Sequence, residues 1–79
     1  MNRKLEDLLI YIKINKKSKC INITLNIDEF NELEKNRTEF CHEVGKILGS
    51  CNIEVEKIGK RLRLLKIEKV EDDITYEKM

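Results

Sequence analysis

At 79 residues the chain has room for one domain, with a core near the lower limit of what holds a fold together. Charged residues are 39% of it and aromatics 5%, with no Trp, so the core has to be built from Ile, Leu and Val. A net charge of +1 argues against an indiscriminate polycation, and so short a chain leaves little space for an enclosed substrate pocket and its catalytic shell.

RKLEDLLIYIKI (3–14) predicts a first helix, with Leu5, Leu8, Leu9 and Ile12 as its inward stripe and Lys4, Glu6, Asp7 and Lys13 on the wet side. Its apolar run, Leu8 to Ile12, is far short of the ~20 residues that cross a bilayer, and no small-residue cleavage site follows. The expectation is a cytoplasmic protein with no membrane partner. NKKSK (15–19) reads as a polar loop. CINITLNI (20–27) alternates strictly, Ile21, Ile23, Leu25 and Ile27 against Cys20, Asn22, Thr24 and Asn26, which predicts a half-buried strand. Asp28 then serves as N-cap of a short helix, 28–35, that turns Phe30 and Leu33 inward.

Asn36 and Glu39 form a capping-box pair at the head of the next helix, 36–48, and Gly49-Ser50 supplies a left-handed stop. This helix carries Phe40, Cys41, Val44, Ile47 and Leu48 on one stripe and Thr38, His42 and Lys46 on the opposite ridge. NIEVEKI (52–58) and RLRLLKIEKV (61–70) predict a hairpin turning at Gly59-Lys60, with Ile53 and Val55 inward. A change of face between Leu62/Leu64 and Leu65/Ile67 predicts a bulge near Leu64–Leu65. Residues 71–79 are an acidic tail, either an added edge or frayed. The whole chain, 1–79, therefore reads as one α+β domain with a three-stranded antiparallel sheet.

The near-neutral total hides an uneven layout. Residues 1–19 hold six Lys/Arg against two acids, and residues 51–70 hold six against three, while residues 20–36 and 71–79 are acidic. The three cysteines, Cys20, Cys41 and Cys51, have no Cys-x-x-Cys spacing, so they read as reduced, mostly buried thiols without a metal. His42 is the one histidine; Cys41 beside it points about 100° away, and no Gly-rich loop or inward carboxylate pair accompanies it. Neither an enzyme nor a cofactor is expected. The Lys, Ile, Asn and Glu bias without Ala or Gln suggests AT-rich coding, as in a phage, a mobile element or a low-GC bacterium.

The order helix, strand, short helix, longer helix, hairpin resembles the winged helix-turn-helix, in particular the DNA-binding domain of catabolite-activator-type regulators. The likeness covers roughly residues 5 to 67. IDEFNELEKNRTEF looks like the first motif helix and turn, NRTEFCHEVGKIL like the recognition helix, and NIEVEKIGKRLRLLKI like the wing. Three departures stand out: Glu34 or Lys35 where the family has a turn Gly, Asn31 where it packs an Ala, and a longer first strand. The resemblance implies a sequence-specific regulator of transcription or replication that acts on double-stranded DNA, as a homodimer or with another partner.

In that reading Arg37, Thr38, His42 and Lys46 face the major groove, as base or phosphate contacts. Lys57, Lys60, Arg61 and Arg63 then meet phosphate from the wing. Two plainer readings stay open beside it. Any amphipathic helix turns a polar ridge to water, and Glu39 and Glu43 beside this one would repel phosphate. Exposed hairpins also carry Lys and Arg against edge pairing. From a different class comes a small protein-binding or inhibitory module, favoured by the long alternating strand. A ribbon-helix-helix reading fits less well, because it leaves the basic hairpin unexplained.

Overall fold

The computed structural model describes residues 3–70, and its elements follow the expected order. They are α1 (Leu5–Ile14), β1 (Cys20–Asn26), α2 (Ile27–Lys35), α3 (Arg37–Leu48), β2 (Cys51–Gly59) and β3 (Leu62–Lys69). The three strands make one antiparallel sheet in the order β1-β3-β2, so the last strand to be made lies in the middle. The acidic tail lies outside the described residues.

The alternating residues of β1 explain why the helices gather on one side. Ile21, Ile23 and Leu25 are buried, while Cys20, Asn22 and Thr24 are exposed on the opposite face. Across the ladders, Ile21, Ile67 and Ile53 form one row and Ile23, Leu65 and Val55 the next. Onto these rows α1 sets Leu8 and Ile12, α2 sets Leu33, and α3 sets Phe40 and Val44, all of them buried. Burying each such side chain is worth about 1.5–3 kcal/mol, and this one cluster holds every element in place.

The third row, Leu25, Arg63 and Lys57, breaks the pattern. Here the inner face changes from apolar to basic. Beyond this row only Asn26, Leu62 and Gly59 pair before the turn at Lys60–Arg61, so β1 flanks β3 almost to the tip of the hairpin.

Several local expectations change. Asn26, not Asp28, caps α2: its side chain accepts from the Glu29 N–H at 2.8 Å, and Glu29 Oε1 accepts from the Asn26 N–H at 2.9 Å. That reciprocal pair satisfies two helix-end donors at once and ends β1 one residue early, so Ile27 begins the helix. Asn36 does precede α3, but its side chain caps nothing. Its Nδ2 instead donates back to the Glu32 carbonyl at 3.1 Å, and α2 and α3 meet at this single residue. Gly49 ends α3 at φ 81°, ψ −146°, a positive-φ stop as expected but outside the left-handed helical region.

The register slip lies on β2, between Lys57 and Gly59, not in β3. Ile58 is the extra residue, and β3 keeps Leu65 and Ile67 inward without interruption. The turn is one residue later than expected, at Lys60–Arg61, with Gly59 paired to Leu62. Cys20 is exposed and Cys41 and Cys51 only half-buried, a correction to the expectation of buried thiols. Cys20 falls on the outward face of β1. Burial and the nearby Cys41 raise the Cys51 thiol above its ordinary value.

Candidate nucleic-acid interface

Two elements bear the residues expected to meet a ligand, and the fold brings their near ends together. Arg37 opens α3, and Lys57 and Arg63 form the basic third row of the sheet. With Phe30, Glu34 and Val55 they line one open groove of roughly 330 Å³. Arg63 is committed within it. Its guanidinium stands 5.3 Å from the centre of the Phe30 ring, and its Nη1 donates to the Gly59 and Leu62 carbonyls at 3.1 and 3.0 Å. Arg63 thus braces the base of the hairpin turn against α2, using an aromatic face and two backbone acceptors. Arg37 lies 3.5 Å from Glu34, an exposed pair three residues apart.

Lys57, Lys60 and Arg61 are exposed and form no ion pair with any described residue. Residues 57–63 contain no acid. The hairpin tip therefore carries positive charge with no ion-pair partner among the described residues.

The ridge of α3 differs. Thr38 and His42 are exposed, facing away from Phe40 and Val44 as the helical spacing requires. Lys46 is exposed too, but its Nζ lies 3.5 Å from Glu43. Glu39 and Glu43 face α1, where they line a shallow groove with Leu5, Glu6, Leu9 and Phe40. Hence Arg37 and Lys46 each carry an acid beside them, and the central ridge is nearly neutral.

Beyond Lys46, packing adds two cations that chain order hides. Lys13 and Lys16 border the same groove as Lys46 and Glu43, over a floor of Leu9, Ile10 and Ile47. Nothing in NKKSK alone points to α3, because the two segments meet only through the α1–α3 contact. Phe30, expected as a plain core residue, was likewise missed as the platform for Arg63.

At the same end of the sheet, where β1 runs into α2, charge is used in the opposite way. Glu29 is 5% exposed and accepts from Arg3 N at 2.8 Å, Arg3 Nε at 2.9 Å and Arg3 Nη2 at 3.1 Å. Arg3 Nη2 also donates to the Thr24 carbonyl. The Arg3 hydrogen bonds, helped by the Asn26 N–H, outweigh burial and hold the Glu29 carboxyl down at about 2. This latch fastens the chain ahead of α1 to β1 and α2.

Among the described residues no helix is long and apolar enough to cross a membrane. The class these features define is a small α+β domain, three helices on one face of a three-stranded antiparallel sheet, with a basic hairpin turn. No protein-family model matches the chain, and no curated protein or solved structure is detectably similar to it.

Proposed function

We propose that this chain is a small winged-helix DNA-binding regulator. In this reading α3 lies in the major groove and the β2–β3 hairpin grips the flanking backbone as a wing. The observation that carries it is the hairpin tip: Lys57, Lys60 and Arg61 project without an acidic partner among the described residues, next to the exposed ridge of α3. Cations on an exposed turn, without an ion pair among the described residues, favour a polyanion, since each phosphate contact releases condensed counterions. Lys57, Lys60 and Arg61 take phosphate. Arg63 sets the angle of the arm. Thr38 and His42 face base edges, and Arg37 and Lys46 exchange Glu34 and Glu43 for phosphate or guanine when DNA arrives.

One such module reads few base pairs, so the regulator acts as a homodimer on paired half-sites. The surface for this is the outer face of α1, where Ile10, Tyr11 and Ile14 are exposed. Acids Glu6 and Asp7 stand near its start and Lys13 near its end, so two copies packed antiparallel complement each other in charge. Control of a phage or mobile-element function in the cytoplasm suits the coding bias and the size.

A second reading, a protein-binding or inhibitory module, draws support from the ion pairs that neutralise the ridge. The open sheet face, with Asn22, Thr24, Glu54, Glu56 and Glu68 exposed, would be its contact. Fluorescence titration against a random and a selected duplex decides between the two. Binding to both at about 50 mM salt, falling steeply as salt rises, supports DNA. No duplex binding at that salt removes the DNA reading and leaves the protein partner.

A further inference from the structure

The hairpin tip carries more than charge. Ile58 is 46% exposed and Leu62 43%, and both flank the Lys60–Arg61 turn. Ile58 owes its position to the register slip: Lys57 pairs with Arg63 and Gly59 with Leu62, so no residue of β3 lies opposite it. A bulge re-aims a side chain that the regular ladder would have placed. Two large aliphatic side chains thus stand beside the turn, among cations that form no ion pair with any described residue.

Few ligands suit that combination. A simple acidic peptide would satisfy the cations and leave the aliphatic groups wet. The minor groove of duplex DNA satisfies both, with phosphates along its rims and deoxyribose and base edges between them. At about 6 Å wide it is too narrow for a helix. It is suited to a tip made of two turn residues. Aliphatic side chains inserted there separate base steps and kink the duplex.

We propose that the hairpin tip is a minor-groove wedge. Ile58 and Leu62 lie against the sugars and a partly unstacked base step, and Lys57, Lys60 and Arg61 take the phosphates on the two rims. This deepens the DNA-binding reading and rests on it. It assigns part of the specificity to deformability, so sites containing pyrimidine–purine steps are preferred over stiff A-tracts.

The test compares the full chain with the I58S/L62S and K60A/R61A variants on short duplexes labelled at both ends. One duplex carries a central TA step, one a mismatch at that step, and one an A-tract. Wild type should shorten the end-to-end distance on the TA duplex and bind the mismatched one about tenfold tighter, because the unstacking cost is already met. I58S/L62S should lose the kink and the mismatch preference but keep the salt slope. K60A/R61A should flatten the slope by ~1 per lost contact and keep the mismatch preference. Both apolar side chains are half-exposed, so circular dichroism should show the variants folded, and I58T alone repeats the test if Leu62 proves to support the turn.

Kinking and preference unchanged in I58S/L62S, with duplex affinity intact, overturn the wedge and leave the DNA reading standing. No duplex binding by wild type overturns both. Binding instead to vesicles of anionic lipid, lost in I58S/L62S, assigns the tip to a membrane surface and also overturns the wedge.

Discussion

Two neighbouring regions of this molecule, at the same end of the sheet, use arginine and lysine for opposite purposes. At the Arg3–Glu29 latch, one guanidinium is spent on a buried carboxylate and a backbone carbonyl, and the result is closure. At the hairpin tip, Lys57, Lys60 and Arg61 meet no acid among the described residues, and the result is a field directed outward. Arg63 stands between these extremes, turned back onto Phe30 and the turn carbonyls so that its neighbours can project. Net charge does not tell the two uses apart. What does is whether a counter-charge lies within reach.

The comparison requires that both regions hang from one core, and that is where the largest effect is expected. Phe40→Ala should cost about 3–5 kcal/mol, enough to unfold much of so small a domain, read by urea denaturation. A loss near that of a surface change would mean that α3 does not anchor the fold. Next comes the latch. Glu29→Gln should cost about 1–3 kcal/mol, since it leaves Arg3 and the Asn26 N–H with a weaker acceptor.

The pH dependence follows from the same pair. The folded carboxyl titrates at about 2 against an ordinary 4.5. Its contribution is therefore complete above about 4.5 and lost as pH falls from there toward 2. Thermal melts across that window should show the wild type losing stability more steeply than Glu29→Gln; parallel curves would contradict the latch.

Arg63→Ala should have an intermediate effect, about 1 kcal/mol, through the lost ring contact and turn hydrogen bonds. It should also blunt discrimination between duplexes, because the arm loses its brace. The smallest effect belongs to the tip. Lys60→Ala and Arg61→Ala should each stay within about 0.5 kcal/mol in denaturation, while each lowers the salt dependence of duplex binding by ~1. A larger loss of stability at either position would show that the tip is structural and erase the contrast.

Much of this architecture was readable from the chain, because amphipathic periods report which face is buried. The eight-residue alternation from Cys20 and the Phe40/Val44 stripe each placed an element correctly. Local competition was harder to see. Asp28 and Asn26 are both good caps, and only the reach of Glu29 back to the Asn26 N–H decides between them. The bulge moved for a similar reason: β3 is the central strand, paired on both edges, so the irregularity is relegated to β2 at the free end.

For the candidate site, the sequence marked the cations but not their partners. Arg63 over Phe30, Arg3 on Glu29, and Lys13 and Lys16 beside Lys46 depend on contacts between residues 26 to 33 positions apart, beyond any local pattern.

The contrast between a closed latch and an open tip is tested most directly by mapping backbone amide shifts of labelled protein as duplex DNA is added at low salt. The account predicts movement over residues 37–46 and 57–63, with the latch residues 3–6 unmoved. Shifts centred on the Arg3–Glu29 pair or on the outer face of β1, or none at all, would contradict it.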